Sequence, residues 1–256
     1  MGYHDIYKSC QDDPEAYWLE QSKAIDWEQA PRQALFEKGN DLYEWFADAK
    51  VNACYNAVDR HVENGRADQV AIIHDSPITG TQTKITFAEL QTRVAAIAGV
   101  LQANGVGKGD RVIIYMPMVP EALEAMLACA RIGAVHSVVF GGFASNELAV
   151  RINDCTPKAI IAASCGLEPS RVVAYKPLLD GAIEQADHKP DFCLILQREQ
   201  APCDLIPGRD LDWHAAQEGT PPAPWIAVEG NHPAYILYTS GTTGAPKGVV
   251  RQTAGH

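Results

Sequence analysis

Short apolar runs alternate with longer amphipathic segments through the middle of the chain. The short runs are rich in β-branched residues, which is typical of buried strands, and they lie at residues 111–115, 134–140, 159–163 and 192–196. Apolar residues recur at helical spacing in the segments at residues 120–132, 146–152 and 175–185. This order predicts an α/β fold, with a mostly parallel sheet and helices on both faces. In such sheets, ligands bind beyond the carboxyl ends of the strands.

A hairpin and a capped helix are predicted just before this region. Residues 70–74 and 84–86 have strand character, and a turn with proline and glycine separates them. Thr86 and Glu89 have the spacing of a capping box, and Asn104-Gly105 is typical of a helix end. We therefore expect a helix that starts at residue 87 and runs through residue 101.

The two ends of the chain have a different character. In residues 1–62, aromatic side chains alternate with acidic residues, and Asp13-Pro14 has the form of a helix start. We interpret this segment as a helical N-terminal cap on a main body formed by residues 63–256. Residues 197–233 are rich in proline and predict a surface connection, with a short helix at residues 210–217.

Composition and charge narrow the classes of partner. The chain has 256 residues, of which 46% are hydrophobic and 21% charged, as in ordinary globular domains. Its formal net charge of −11 argues against electrostatic binding of nucleic acid or of an anionic membrane surface. No apolar run approaches the roughly 20 residues that a membrane-spanning helix needs. The expected partners are therefore small molecules.

The cysteines argue against a disulfide framework and against a zinc site. They are odd in number and scattered, without a C-x-x-C pair, at Cys10, Cys54, Cys129, Cys155, Cys165, Cys193 and Cys203. We expect them to be reduced. Acidic residues near the N-terminus do not fit a secretory or transit peptide, so the predicted location is the cytoplasm.

The segment at residues 239–248 is the strongest candidate for chemistry. We interpret residues 234–238 and 248–251 as strands, the first of them buried, so the segment is a loop between two strands. Its glycines let backbone N–H groups turn toward an anion, and its hydroxyls and one ammonium supply further donors. These features predict a loop that binds polyphosphate.

Two alternatives fit this loop less well. The common P-loop needs Gly-Lys followed by Ser or Thr at a helix N-terminus, whereas here Pro246 precedes Lys247 and Gly248 leads into a strand. A run rich in Gly, Ser and Thr is usually a flexible linker. A linker, however, does not need a strand on each side or a fixed Pro-Lys-Gly ending.

The loop closely resembles the signature of the AMP-forming acyl-CoA synthetases, which belong to the superfamily of adenylate-forming enzymes. The resemblance implies that it holds the β- and γ-phosphates of ATP, and that Lys247 is catalytic. The implied phosphate-binding residues are Thr239, Ser240, Gly241, Thr242, Thr243, Gly244 and Lys247. Residues 63–256 would then be the first part of the adenylation domain.

The resemblance extends along the whole chain and implies a coenzyme A site. Its other specific segments are residues 55–61, 115–118 and 128–143. Within the last of these, Phe140, Gly141 and Gly142 match the family's border of the coenzyme A site, where the phenylalanine stacks on adenine. Judged by itself, a Phe-Gly-Gly-Phe segment is more often a tight bend flanked by core aromatic residues.

A departure from the family pattern occurs at residues 166–171. The acetyl-CoA synthetases carry two arginines in this loop, and the resemblance implies that they engage phosphates of coenzyme A. Arg171 matches the second arginine, but Glu168 stands in the place of the first. One cation therefore remains where two are expected, and a carboxylate lies close to the expected phosphate.

The resemblance implies a reaction in two steps. A short-chain carboxylate and ATP give an acyl-adenylate and pyrophosphate, and the thiol of coenzyme A then displaces AMP. Residues 168–178 and 249–251 look like the propionyl-CoA synthetase branch, which favours propionate as the acyl substrate. Mg²⁺ is the implied cofactor, with its ligands outside this chain.

Family members are more than twice as long, so the chain looks like an N-terminal fragment that is inactive alone. Within the enzyme class, the alternative is an acetyl-CoA synthetase or another short-acyl-CoA synthetase. From a different class, the chain could be a truncated, non-catalytic module for nucleotide binding or protein interaction. Sequencing the reading frame past His256 discriminates between a fragment and a natural module.

Overall fold

The computed structural model describes residues 2–40, 42–239 and 246–255. Its N-terminal part starts with two short helices, α1 (Tyr3–Asp12) and α2 (Pro14–Ser22). The side chain of Asp13 accepts a hydrogen bond from the backbone N–H of Ala16, so Asp13 caps α2 and Pro14 occupies its first turn. Three short strands follow, β1 (Leu35–Gly39), β2 (Leu42–Trp45) and β3 (Lys50–Val51). The predicted cap therefore contains a β-hairpin as well as helices.

A second hairpin and a long helix come next. Strands β4 (Val70–Ser76) and β5 (Thr81–Thr86) pair in antiparallel fashion. Helix α3 (Phe87–Ala103) starts with the predicted capping box, in which Thr86 and Glu89 bond each other's backbone N–H groups. The hairpin and the helix are confirmed. Between β3 and β4, residues 55–59 and 62–66 form two short π-helical turns.

Most of the remaining strands belong to one central sheet. After α3, the elements run in the order β6 (Arg111–Met116), α4 (Pro120–Arg131), β7 (Val135–Phe140), α5 (Ser145–Cys155), β8 (Ala159–Ala163), β9 (Cys165–Glu168), β10 (Arg171–Ala174), α6 (Tyr175–Gln185), β11 (Phe192–Leu196), β12 (Asp210–Asp212), β13 (Val228–Glu229), β14 (Pro233–Thr239) and β15 (Lys247–Gln252). Seven strands form the sheet in the order β12-β11-β8-β6-β7-β14-β15. All neighbours are parallel except β14 and β15. The predicted mostly parallel α/β sheet is thus confirmed.

The core lies where the apolar runs are. Strands β8 and β11 are buried at every position, and β6 is buried from Val112 to Met116. Helix α3 packs on α4, and α5 packs on α6. Because parallel strands are covered on both faces by helices, their sequences show continuous apolar runs instead of alternation.

Three expectations need correction. Residues 166–171, predicted as a loop, instead lie in the antiparallel hairpin of β9 and β10. Residues 210–217 are not a helix, because Asp210–Asp212 pair as β12 with β11, and only Ala215–Gln217 form a 3₁₀ turn. Residues 234–238 are a strand, but a half-exposed one, since β14 lies next to the edge strand β15.

A buried ion pair joins distant parts of the chain. Nη1 of Arg131 in α4 donates to both carboxylate oxygens of Asp59, at 2.9 and 2.8 Å. The exposed fractions of the two side chains are only 7% and 3%. Nε of Arg131 donates to the backbone oxygen of Ala223, so the same guanidinium also holds the proline-rich connection. These contacts give a physical reason for two of the segments that carry the family resemblance.

Strand β15 forms one edge of the central sheet among the described residues. Most of its positions are exposed, and Val249 and Val250 are 44% and 54% exposed. No helix in the described part of the chain is both long and apolar enough to cross a membrane.

Candidate functional site

The predicted phosphate loop connects strands β14 and β15 along the chain, and these two strands pair in antiparallel fashion. Thr239 and Lys247 face each other in the antiparallel register, and both are exposed. The hydroxyl of Thr239 lies 3.5 Å from the backbone oxygen of Lys247. Five predicted phosphate-binding residues lie outside the described residues, namely Ser240, Gly241, Thr242, Thr243 and Gly244. The described hairpin thus places the first and last residues of the predicted site on either side of the loop.

Tyr238 anchors this hairpin to the body. Its hydroxyl donates to Oδ2 of Asp154 in α5 at 2.6 Å. Burial and the neighbouring Asp154 raise the pKa of the Tyr238 phenol, so this hydroxyl stays protonated and remains a donor. The neighbouring strand β7 also contacts β14 through a side chain, because the hydroxyl of Ser137 donates to the backbone oxygen of Ile236 at 3.1 Å.

The Phe-Gly-Gly-Phe segment forms a tight turn directly after β7. The backbone N–H of Phe143 donates to the oxygen of Phe140 at 3.2 Å, and the two rings lie 5.7 Å apart. Gly142 has a φ of +92°, a conformation that favours glycine. The Phe140 side chain is 69% exposed, so its ring is open to a ligand. An exposed ring at the carboxyl end of a strand fits stacking on a flat base.

The side chains of Tyr115 and Tyr175 pack against this turn. The Tyr115 hydroxyl accepts a hydrogen bond from the N–H of Gly142 at 3.2 Å and donates to the oxygen of Phe143 at 2.8 Å. Burial raises the pKa of Tyr115 to about 12, which keeps that hydroxyl a donor. The two tyrosine rings are 5.2 Å apart. Sequence reasoning missed Tyr175, because no motif marks a side chain whose role is to fill space under glycines.

Gly141 is required by close packing. A Cβ at this position would lie 2.6 Å from Cε2 of Tyr175 and 2.7 Å from the backbone oxygen of Met116. We expect Gly141→Ala to lower the free energy of unfolding by about 1–3 kcal/mol through overpacking. Gly107→Ala is the control, because its nearest contact would lie at 3.9 Å. Urea denaturation measures both, and equal stability of the two variants would contradict the packing role.

Arg171 lies on β10, in a small sheet next to the turn. Its Nε and Nη2 donate to the two carboxylate oxygens of Glu168 at 2.7 and 3.2 Å. The two residues are partners in the hairpin register, and both side chains are largely exposed. Arg171 holds the pKa of Glu168 below its usual value, so this carboxylate is ionised at neutral pH. The cation expected to meet a phosphate is therefore already paired.

The central sheet places the predicted phosphate site and the predicted coenzyme A site at the same end of its strands, the carboxyl end. Strands β7 and β14 are parallel neighbours, and Phe140 and Thr239 are their last residues. The turn and the phosphate hairpin therefore both start at the carboxyl ends of adjacent strands, where ligands bind in parallel sheets. The hairpin of Arg171 packs against the turn at residues 140–143 through Tyr175, because a Cβ at Gly166 of β9 would lie 2.1 Å from the Tyr175 hydroxyl and a Cβ at Gly141 would lie 2.6 Å from its ring.

Other features of the described chain lie apart from this end of the sheet. No group of three or more His, Cys, Asp or Glu side chains could hold a metal ion within residues 2–40, 42–239 and 246–255. A cavity of about 460 Å³, lined by residues that include Trp18, Trp27, Phe46 and Ala254, contains none of the predicted site residues. It adjoins the end of β15 that is opposite to Lys247.

Two family models match the chain in succession. The model described as the N-terminus of acetyl-coenzyme A synthetase matches residues 3–57, and the model described as AMP-binding enzyme matches residues 58–256. The chain is also similar to the solved structure of acetoacetyl-CoA synthetase from Streptomyces lividans, with a TM-score of 0.88 and 23% identity. That likeness covers 100% of this chain and 39% of the solved one, and at this identity it supports the fold.

Several relatives match over nearly the whole chain. An uncharacterised protein of Pseudomonas aeruginosa is 55% identical over 95% of this chain and 39% of its own length. The human mitochondrial acyl-CoA synthetase short-chain family member 3 is 48% identical over 99% of this chain and 37% of its own length. The propionate–CoA ligase of Escherichia coli is 42% identical over 100% of this chain and 41% of its own length. The chain thus spans about two fifths of the length of the curated relatives it matches.

Proposed function

The chain belongs to the family of AMP-binding enzymes, and from this premise we propose that it supplies the phosphate-binding and coenzyme A-binding part of an AMP-forming acyl-CoA synthetase. In this proposal, the complete enzyme is a longer protein that contains this chain and also a segment equivalent to the part of the relatives that this chain does not match. It converts a short-chain carboxylate, ATP and coenzyme A to acyl-CoA, AMP and pyrophosphate.

One observation carries the proposal. The turn at residues 140–143 (the Phe140 turn) and the hairpin of β14 and β15 that contains Lys247 (the phosphate hairpin) start at the carboxyl ends of adjacent parallel strands. The two half-reactions need ATP phosphates and coenzyme A to approach the same acyl group in turn, and this end of the sheet offers donors for one and an open aromatic ring for the other. A nucleotide-binding module without catalysis would have no need of the second element.

In this proposal, the chain contributes charge and position. The Lys247 ammonium and the donors of residues 239–244 offset the charge that develops on pyrophosphate as it leaves the α-phosphorus. The Phe140 ring, the backbone of Gly141 and Gly142, and the Arg171 guanidinium border coenzyme A. Mg²⁺ would share the phosphate charge, and its ligands are expected outside this chain.

Propionate is the acyl substrate that we propose, with acetate as the second candidate. Residues 168–178 and 249–251 support the propionyl branch. The similarity of residues 3–57 to the N-terminus of acetyl-coenzyme A synthetase supports the alternative. Rates of the complete enzyme on acetate, propionate and butyrate test the choice, and a preference for acetate would overturn it. A cytoplasmic location and the absence of nucleic acid partners remain part of the proposal.

The isolated chain gives a direct test of the division of labour. We expect it to catalyse no carboxylate-dependent exchange of pyrophosphate into ATP, because this chain spans about two fifths of the length of its relatives and the resemblance places the adenine site and the Mg²⁺ ligands in the remainder. We expect it still to bind pyrophosphate, as measured by titration calorimetry. Exchange activity in the purified chain would contradict the first expectation. If Lys247→Ala leaves pyrophosphate affinity unchanged, the hairpin is not the phosphate site.

The ion pair of Glu168 and Arg171 gives a prediction about coenzyme A. We expect Arg171→Ala in the complete enzyme to raise the KM for coenzyme A by roughly 10- to 100-fold, because a charge-assisted hydrogen bond is lost. Glu168→Gln and Glu168→Arg should lower that KM, since each releases Arg171 from its carboxylate partner. Adenylation needs no coenzyme A, so pyrophosphate exchange should stay near the wild-type rate in all three variants.

The same measurements separate a binding role from a structural one. If Arg171→Ala slows exchange and acyl-CoA synthesis by the same factor, the residue holds the hairpin of β9 and β10 together and does not contact coenzyme A. Val172→Ala is the matched control, because Val172 is an exposed neighbour on the same strand and has no charge.

A further inference from the structure

Helix α5 connects the two predicted subsites directly. It starts at Ser145, two residues after the Phe140 turn closes with Phe143. Its last turn lies against Tyr238, the residue that precedes Thr239 at the start of the phosphate loop. One helix of eleven residues therefore contacts both elements.

Arg151 of this helix lies between two aromatic rings, one from each subsite. Its Cζ is 5.1 Å from the ring centroid of Phe143 and 5.4 Å from the ring centroid of Tyr238. A guanidinium within about 6 Å of an aromatic face is attracted to it, and a planar cation can stack on two faces at once. The side chain is 10% exposed, so these contacts are shielded from water.

The helix itself fixes the position of this guanidinium. Nη1 of Arg151 donates to the backbone oxygen of Glu147 at 2.5 Å and to its carboxylate at 3.1 Å. One turn further along, Asp154 accepts the Tyr238 hydroxyl. Tyr238 is thus held by its ring and by its hydroxyl from the same helix, and Phe143 is held by its ring.

We propose that Arg151 is a positioning residue that couples the phosphate hairpin to the coenzyme A turn. The guanidinium contacts both rings. A shift of Tyr238 therefore changes the contact between Arg151 and Phe143, and a shift of Phe143 changes the contact between Arg151 and Tyr238. The coupling is reciprocal, as any coupling free energy between two sites must be. The assignment of ligands to the two elements rests on the proposed function, whereas the coupling itself rests only on the contacts of Arg151.

Hydrogen exchange on the 256-residue chain tests the coupling without any ligand. We expect Tyr238→Leu to accelerate hydrogen exchange of the Phe143 amide, and we expect Phe143→Leu to accelerate hydrogen exchange of the β14 amides. Each acceleration should be roughly 3- to 30-fold, which corresponds to the free energy of one cation–π contact. In an Arg151→Met background, each substitution should act only on its own element. Remote effects that are absent in the native background, or unchanged in the Arg151→Met background, overturn the proposal.

Two further variants separate coupling from general loss of stability. Arg93→Met is the matched control, because Arg93 is also a helical arginine with one carboxylate partner, Glu124, and forms no hydrogen bond or ion pair with the described residues of either subsite. We expect remote effects to persist in that background. Arg151→Lys keeps the charge but not the planar two-faced cation, and should retain less than half of the coupling. Loss of remote effects with Arg93→Met would overturn the proposal.

A second experiment, which measures ligand binding, tests the proposed function separately. Calorimetry measures the Kd of coenzyme A with and without saturating pyrophosphate. We expect at least a threefold difference in the wild-type chain and less than 1.5-fold in Arg151→Met. Equal differences in both chains overturn the coupling. If the wild-type chain binds neither ligand, the proposed function fails for this chain, and the exchange experiment still decides the role of Arg151.

Discussion

Replacing Lys247 with alanine in the complete enzyme should slow formation of the acyl-adenylate by a factor on the order of 10 to 1000, with a smaller effect on ATP binding. Lys247 is the first residue of β15, lies opposite Thr239 in the antiparallel register, and is exposed. Its charge is most useful when pyrophosphate departs, so the transition state loses more than the ground state. Single-turnover adenylation and equilibrium ATP binding measure the two effects. Thr242→Ala should act in the same direction.

Arg251→Ala is the control for this experiment. Arg251 is an exposed cation on the same strand, four residues further from the loop. Its removal changes the net charge equally but should leave adenylation within about twofold. Four residues of strand separate Arg251 from Lys247 by roughly 13 Å, which exceeds the Debye length of about 10 Å. An unchanged single-turnover rate in Lys247→Ala would assign Lys247 a structural role.

Removing the carboxylate of Asp59 should destabilise the chain by about 3–5 kcal/mol, because the Arg131 guanidinium would stay buried without its charged partner. Asp59 and Arg131 are 3% and 7% exposed, so water cannot replace the lost contact. Urea denaturation of Asp59→Ala measures the change in the free energy of unfolding. Glu229→Gln is the control, because it breaks the exposed ion pair with Lys108, and such pairs contribute about 0–1 kcal/mol.

A double variant tests the cause of this loss. Asp59→Leu combined with Arg131→Met removes both charges, and we expect it to be more stable than Asp59→Ala. A loss of under about 1 kcal/mol in Asp59→Ala would show that the pair is not shielded from solvent. If the double variant is less stable than Asp59→Ala, packing around Ala223 matters more than the unpaired charge.

The sequence was most informative where burial repeats along the chain. Strands β8 and β11 are apolar at every position because helices cover both faces, and the bounds of α6 agree with its apolar period. The hairpin of β9 and β10 has no such signal, since its strands are short and half-exposed. Residues 210–212 became a strand through pairing with β11, and tertiary pairing of this kind overrides local preference.

Candidate site residues could be found where chemistry is local in sequence. The phosphate loop and the Phe-Gly-Gly-Phe turn each lie within one segment, so their donors and glycines are visible together. Arg131 and Asp59 are 72 positions apart, and Arg151 contacts Tyr238 of β14 from helix α5. Such contacts depend on how α4 packs on residues 55–59 and how α5 packs on β14, which no local pattern encodes. The roles of the predicted site residues stay predictions.

The open edge at β15 has a practical consequence for work on this chain alone. Edge strands carry a row of backbone N–H and C=O groups that can pair with another molecule. Val249 and Val250 add exposed apolar side chains at the middle of the strand, and Pro246 lies just outside it. The isolated chain therefore has a template for self-association. Light scattering and calorimetry on this chain should be performed as a dilution series, so that edge-to-edge pairing is not mistaken for ligand binding at the adjacent loop.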